Sequence, residues 1–389
     1  MKANTPCIVG IGQTRYSKWS EPLAASELEL ACEAILGAAH DAALPLALVD
    51  GMTSFGGDAS EPALLQATLG IPELRLSAMV WGGGGGGSCG AIDLAAAAVA
   101  AGHARYVAVL RSLAQGQTGR YGQYDPHWHH ASFIHPFGLL AAPQLLALSV
   151  RRHMHEYGTT TEQLGAFAVA CRKHARRNPH AIMRDRPLDL PTYLSSRMIA
   201  DPLRLFDCCL ETNGACAVLV TTWERARDLP GKAVPILASI QGSSDGWATG
   251  ALGSHNQPLD QYATTGAAHL AIDLYGRAGI SAADIDVAEI YDNFTGVAMM
   301  AMEDFQICPR GESGPFVASG AIEWPQGALP VNTHGGNLSE AYIHGLNHVV
   351  EGVRQMRGTS TCQVEDAAVC LVTGGPGPAP TSALILGRA

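Results

Sequence analysis

Apolar positions along this chain follow two rhythms. Pro6–Gly12 (PCIVGIG) is a short unbroken apolar run, the pattern of a buried strand. Pro22–Ala43 instead carries apolar residues at helical spacing, with Glu27, Glu29 and Glu33 on the other face. Asp50–Phe55 (DGMTSF) and Ser77–Trp81 predict two more strands, the second apolar enough to be buried. Six consecutive glycines, Gly82–Gly87, then lead into an Ala-rich helix marked by Ile92, Leu94, Ala95 and Val99 and closed by Ala101–Gly102. Arg105–Arg111 (RYVAVLR) is the next buried strand. Strands alternating with helices in this way argue for an α/β fold around a mixed sheet.

Between residues 115 and 201 the rhythm changes. An aromatic, His-rich loop (YGQYDPHWHHASFIHPFG) precedes long helices at Ala142–Tyr157 and Thr160–Asn178, an insertion that would cover the sheet. Glu211–Thr222 (ETNGACAVLVTT) returns to the buried-strand pattern, and Trp223–Leu229 closes a first half. A second half repeats the logic. It has strands at Val234–Ser239 and Asp286–Tyr291 and helices at Tyr262–Gly279 and Thr295–Ile307. A glycine turn, Leu329–Gly336, leads into a helix predicted over Ala341–Arg357, and strands Ala367–Thr373 and Ser382–Gly387 flank a GGPGPAP turn. The organisation expected is an N-terminal half from 1–114 and 202–232, a loop domain over 115–201, and a C-terminal half over 233–389.

The strand–glycine–helix stretch is the feature the rest is organised around. Glycines there let the backbone adopt positive φ and approach a ligand, and the helix that follows points free N–H groups at the turn. Gly82, Gly84 and Gly87 formally spell GxGxxG, but the next strand ends Leu110–Arg111–Ser112, without the acidic residue a dinucleotide site requires. No Lys-Ser/Thr follows either, which excludes a phosphate-binding P-loop.

Composition narrows the remaining classes. Of 389 residues, 47% are apolar and 15% charged, enough for a large core. A net charge of −10 and the absence of a basic run argue against nucleic acid. No apolar stretch reaches the roughly 18 residues needed to span a bilayer. The N-terminus lacks the pattern of a signal peptide, so a cytoplasmic location is expected. Ten cysteines, mostly in apolar segments and without CxxC spacing, fit reduced core thiols. The adjacent pair Cys208–Cys209 reads as core packing. His127, His129, His130 and His135 lack a recognised ligand frame, and lid or loop histidines are the reading of that segment; no metal is expected.

Two further turns carry chemistry-bearing side chains. Tyr291-Asp292-Asn293-Phe294 ends a strand before a helix, where side chains project into a site. Asn337–Gly345 (NLSEAYIHG) places Tyr342 and His344 at a predicted helix start, where N–H dipoles acidify a phenol.

Taken together, the three turns resemble the thiolase superfamily, and most of all the sterol-carrier-protein type of thiolase, over nearly the whole chain. The resemblance implies a thiolase fold: two similar mixed-sheet α/β halves in five layers (αβαβα), with an inserted helical loop domain. The family's nucleophilic Cys falls at Gly85, counted back from the Ala101–Gly102 helix end. Its His-Asp-Cys-Phe turn falls on Tyr291–Phe294, and its Gly-His-Pro turn on Ala341–Ile343, after the matching Asn332 and Gly335-Gly336. The nucleophile has thus become glycine, the acid/base Cys has become Asn293, and both histidines have become tyrosines. Glycine cannot carry an acyl group, so thiolytic chemistry is not expected. A phenol can exchange a proton or hydrogen-bond an oxyanion if its pKa falls from about 10.

This constellation is similar to the lipid-transfer-protein aldolases that shorten steroid side chains. It implies retro-aldol cleavage of a β-hydroxyacyl-CoA, a 17-hydroxy steroid thioester giving a 17-ketosteroid and propionyl-CoA. The same resemblance implies Tyr291 and Tyr342 as acid and base, with His344, Asn293 and Asp292 in support. Gly85, Ser88, Gly335 and Gly336 would shape the substrate site, Gly85 by leaving space where the thiolate would sit. The family pattern also implies a homodimer and a partner, an acyl-CoA-binding OB-fold protein with a zinc ribbon, in a heterotetramer; no cofactor is expected on this chain. A Schiff-base aldolase is disfavoured, because Lys2, Lys18, Lys173 and Lys232 all lie in polar or terminal settings. Two alternatives stay open: a thiolase using Cys89 in a shifted register, and a non-catalytic acyl-CoA-binding subunit.

Overall fold

The computed structural model describes residues 1–21, 23–82, 84–118, 134–244, 258–375 and 380–389. Its strands are β1 (Pro6–Gln13), β2 (Ser17–Lys18), β3 (Gly51–Phe55), β4 (Leu76–Val80), β5 (Val107–Ala114), β6 (Met198–Ala200), β7 (Leu203–Arg204), β8 (Thr212–Thr222), β9 (Val234–Gly242), β10 (Val287–Glu289), β11 (Val369–Gly374) and β12 (Thr381–Gly387). Apart from the small β6–β7 ribbon they follow one path, β10-β11-β12-β9-β1-β8-β5-β3-β4, with β2 added to β8. The two sides of this path are built alike. β1–β8 and β8–β5 are antiparallel and β5–β3 is parallel; β9–β12 and β12–β11 are antiparallel and β11–β10 is parallel. They meet where β1 pairs briefly with β9.

Helices fill three layers around the two half-sheets. The Glu27–Asp41 helix packs outside β1, β8 and β5, and the Ala268–Ala278 helix outside β9 and β12. Between the halves lie the Ser88–Ala100 and Leu346–Arg357 helices, each touching strands of both. The result is the five-layer thiolase architecture. Strand β5 shows why the central strands read as continuous apolar runs: Val107, Val109 and Leu113 enter the inter-sheet core, while Ala108, Leu110 and Ala114 enter the core under the outer helix. Helices Ala142–Tyr157 and Thr161–Ala175 join a third core with Thr295–Asp304. Among the described residues no helix is long and apolar enough to cross a membrane.

Several expectations are corrected. Strand β4 is not buried: it is the last strand of the path, its residues alternate in exposure, and Met79 and Trp81 are 48% and 88% exposed. The first helix begins at Glu27 rather than near Pro22, because Ser26 and Glu29 form a reciprocal capping box there. The helix predicted from Ala341 begins only at Leu346. Before it, both the N–H and the C=O of Tyr342 bond the Thr212 hydroxyl, at 3.0 and 2.9 Å, and His344 and Gly345 have φ of 50° and 86°. A backbone held by a side chain in this way is not available to a helical ladder. Of the histidine-rich loop, His127, His129 and His130 lie outside the described residues, as do 376–379 of the Gly/Pro turn.

Candidate active site

Three turns from distant parts of the chain converge at one edge of the central layer. The first is the elbow after β4, where Gly84–Gly87 forms a tight 3-10 turn that runs straight into the Ser88–Ala100 helix. The second, Ile290–Phe294, follows β10. Its Tyr291 N–H donates to Thr373 Oγ1 at 2.9 Å. Asn332 holds Ile290 like a strand partner, accepting its N–H at 2.7 Å and donating to its carbonyl at 2.9 Å. The third carries Tyr342, clamped by Thr212.

The phenols of Tyr291 and Tyr342 meet at the centre, their oxygens 2.8 Å apart in a hydrogen bond. The Gly85 N–H donates to the Tyr291 oxygen at 3.0 Å. The Tyr291 oxygen thus accepts from a backbone amide beside a second hydroxyl, groups that can hydrogen-bond an oxyanion formed there. Both rings are buried, and they are tilted with centroids 6.3 Å apart.

The Gly85 position departs from expectation. It does not leave open space: a Cβ there would lie 1.8 Å from Cε2 of Tyr291 and 2.6 Å from its oxygen. The Tyr291 ring itself fills the volume a nucleophilic side chain would need. Gly345 approaches the same ring from another side, where a Cβ would stand 2.8 Å from Cδ2. The ring is slotted between two glycines because neither tolerates a side chain there.

The other candidate residues make contacts within the protein around this pair. Ser88 is buried and its hydroxyl donates to the Gly85 carbonyl at 2.9 Å, tying the elbow to the helix. Gly335 and Gly336 are buried away from the phenols, the first against Ala175 and the second against the Asp292 carboxylate. That carboxylate accepts the Asn337 and Leu338 N–H groups at 2.7 and 3.4 Å and so caps the turn that precedes Tyr342. Asn293 accepts the Cys209 N–H on its carbonyl, and its side-chain oxygen accepts the Phe294 N–H at the mouth of the next helix. His344 stands edge-on to Tyr342, with centroids 4.7 Å apart. Burial first, and the charge of Arg111 second, hold its imidazole well below the ordinary range, so it is neutral at physiological pH.

Cys89 points its thiol at the Val372 carbonyl, 3.7 Å away, and burial pushes its pKa up to about 12. It does not supply a thiolate, and the shifted-register thiolase loses its nucleophile. None of the ten cysteines is in a disulfide.

Sequence reasoning missed Thr212 and Thr373, whose hydroxyls fix the backbone of the two tyrosines. The only signal was their position within strand-like runs, which every core threonine shares. It also missed a buried charge cluster. Glu289, His334 and His348 bring three ligand-type atoms within 4.8 Å of one another. That spacing would suit a metal ion, but the charges already compensate one another, with Glu289 Oε2 2.9 Å from His334 Nδ1.

Known proteins resemble this chain in sequence and fold. Residues 250–388 match the model of a thiolase C-terminal domain-like family. The chain is 42% identical over 394 residues to a steroid side-chain-cleaving aldolase of Thermomonospora curvata, covering 98% of this chain and 97% of that one. It is also 42% identical over 396 residues to the 17-hydroxy-3-oxo-4-pregnene-20-carboxyl-CoA lyase of Mycobacterium tuberculosis, with both chains covered completely. The solved structure of the Ltp2-ChsH2(DUF35) aldolase superposes with a TM-score of 0.91 at 40% identity, covering 99% of this chain and 98% of that one. The chain therefore belongs to the thiolase superfamily, in the family of steroid side-chain-cleaving aldolases.

Proposed function

We propose that this protein cleaves a 17-hydroxy steroid carboxyl-CoA thioester by a retro-aldol reaction, releasing a 17-ketosteroid and propionyl-CoA. The observation that carries the reading is the 2.8 Å hydrogen bond between Tyr291 and Tyr342, set in the place where a thiolase needs its nucleophile. The names of the two 42% identical relatives supply the substrate class. One phenolate takes the proton of the β-hydroxyl, directly or through a water. The C–O bond becomes a carbonyl as the Cα–Cβ pair moves onto the thioester, giving an enolate. The other phenol hydrogen-bonds that enolate and protonates its carbon. We assign the base to Tyr291 and the acid to Tyr342. The shared hydrogen bond then lets the proton gained by Tyr291 replace the one Tyr342 gives up, so the pair ends each turnover as it began. No acyl-enzyme forms, in keeping with glycine at position 85.

The resembling structure is a complex of Ltp2 with ChsH2(DUF35). We extend this to the present chain as a heterotetramer, in which an acyl-CoA-binding OB-fold partner with a zinc ribbon joins a homodimer. The open β4 edge with exposed Met79 and Trp81 supports pairing between copies. Phe137 and Leu140, both exposed, offer apolar surface for a sterol ring system. The test is to incubate the protein and its partner with the steroid thioester and assay propionyl-CoA and ketosteroid. Tyr291→Phe and Tyr342→Phe are each expected to lower turnover by about 10²–10⁴-fold with the fold intact. Two phenylalanine variants that keep most of the activity would sink the assignment. Purified complex that stays inactive on a full set of β-hydroxyacyl-CoAs would favour a binding subunit.

A further inference from the structure

Behind the phenol pair lies a second set of ionisable groups that the proposed chemistry does not use. Glu289 ends β10 two residues before Tyr291, and Asp292 follows that tyrosine. His334 sits on the loop entering the other turn, Glu340 two residues before Tyr342, and His348 in the first turn of the Leu346–Arg357 helix. All five are buried. Their contacts run in one chain: Asp292 Oδ1 to His348 Nε2 at 3.2 Å, His348 Nδ1 to Glu289 Oε2 at 3.9 Å, Glu289 Oε2 to His334 Nδ1 at 2.9 Å, and His334 Nε2 to Glu340 Oε2 at 3.5 Å. The chain starts one residue after Tyr291 and ends two residues before Tyr342.

The remaining oxygens are anchored as well. Glu289 accepts the Thr333 hydroxyl at 2.7 Å, and Glu340 accepts amide N–H groups of Asn178 and Asn347 at 2.8 and 3.1 Å. The His348 ring packs 6.2 Å from the Tyr291 ring and 4.8 Å from that of His334. Well-packed apolar side chains would stabilise a core at least as well as buried charges do, so stability alone gives no reason for this arrangement. Its geometry gives one. Buried, alternating ion-pair contacts restrict how the two turns can sit, and a proton-transfer pair tolerates only about 0.5 Å of error.

We propose that His334 and His348 are positioning residues, which lock the Tyr291 turn to the Tyr342 turn through Asp292, Glu289 and Glu340 and so hold the two phenols in register. The proposal rests on the tyrosine-pair reading of the site. The protonation states agree with it. Burial works against a charge on His334, but Glu340 and Glu289 outweigh it and raise its pKa to about 9. Burial likewise opposes charge on Glu289, and His334 and His348 overcome it, to about 2. Glu351 and Arg354 from the C-terminal helix and His174 from the Thr161–Ala175 helix also face this cluster.

The experiment compares His334→Gln and His348→Gln with wild type in the complete complex, measuring kcat, KM for the steroid thioester and the pH profile of kcat. Folded variants are expected to lose about 10–100-fold in kcat with KM changed by less than about threefold. The limb of the pH profile set by the phenol pair is expected to move by about one unit, as the hydrogen bond between the two oxygens loosens. Should His334→Gln not fold, Glu340→Gln, which keeps the side-chain volume, carries the same expectation. Folded variants with wild-type kcat, or with lower kcat and an unmoved pH profile, would overturn the proposal. Tyr291→Phe and Tyr342→Phe run alongside separate the failures. Active tyrosine variants bring down the site reading itself, whereas inactive tyrosine variants beside fully active histidine variants bring down only the network.

Discussion

Replacing Gly85 by alanine tests the unusual packing at the centre of the site. The added carbon would lie 1.8 Å from Cε2, 2.2 Å from Cζ and 2.6 Å from the oxygen of Tyr291. Ordinary carbon contacts are about 3.5–4.0 Å, so the ring has to withdraw by about 2 Å. The Gly345 backbone limits that withdrawal. Overpacking of this kind costs about 1–3 kcal/mol, and loss of the Gly85 amide bond to the phenol about 0.5–1.5 kcal/mol more. With an unfolding entropy of about 2.1 cal/mol/K per residue, the sum of about 1.5–4.5 kcal/mol lowers Tm by roughly 2–5 °C. The effect on turnover is larger, because a displaced Tyr291 no longer meets Tyr342 or the substrate hydroxyl. A loss of at least about 100-fold in kcat, about 2.7 kcal/mol of barrier, is expected. The assay is release of propionyl-CoA by the complex under saturating substrate, with thermal unfolding of the same preparations. Gly276→Ala serves as control: that glycine is exposed in a helix with no atom within 4 Å of its added carbon, and the change is expected to stabilise by about 0.5–1 kcal/mol with activity unchanged. Gly85→Ala with Tm within about 1 °C and more than about a third of wild-type kcat would refute the reasoning. The same clash predicts that Gly85→Cys does not restore thiolase activity, since its side chain would have to enter the Tyr291 ring.

Other expectations follow from the same geometry. Cys89→Ala should leave cleavage within about twofold of wild type, and incubation with acyl-CoA should leave Cys89 unmodified by mass spectrometry, because burial keeps its thiol protonated. His334 is raised from 6.5 to about 9, so its contribution to stability is complete below pH 6.5 and fades as the pH rises through 9. The Tm gap between wild type and His334→Gln should therefore narrow between pH 6.5 and 9; a gap that stays constant or widens contradicts the ion pair. Glu289 is lowered from 4.5 to about 2, so its contribution holds above pH 4.5 and fades only as the pH falls through 2. Trp81→Glu on the open β4 edge should shift the complex to smaller assemblies by light scattering, and an unchanged mass would exclude that edge as the interface.

Much of the site could be read along the chain, because it lies at points where periodicity breaks. Tyr291 ends a strand-like run, Tyr342 follows a glycine turn, and Gly82–Gly87 separates a strand from a helix; each break is local and visible without a partner. What those breaks do to each other was not visible. The space at Gly85 was expected to be open and is filled by a ring 206 positions away. The Tyr342 turn was expected to be helical and is held straight by Thr212, 130 positions away. The buried chain from Asp292 to Glu340 left no mark in the pattern, since isolated histidines and glutamates in polar or mixed segments read the same whether they are paired or solvated.

By itself, then, the sequence determined the order and type of the elements, the two-fold repetition of strand, turn and helix, and the presence of two phenols at the turns, while the loss of a thiolase nucleophile is what the resemblance to thiolases implies. These follow from hydrophobic period and from residue identity, which are properties of neighbours along the chain. Only the tertiary structure decided that β4 is an exposed edge, that the phenols touch, and that glycines at 85 and 345 make room for Tyr291 rather than for substrate. Those outcomes depend on which segments pack against each other across the central layer. The contact energies and steric limits that select them act between residues far apart in the chain, 51 positions for the two phenols and 206 for Gly85 and Tyr291, where periodicity carries no information.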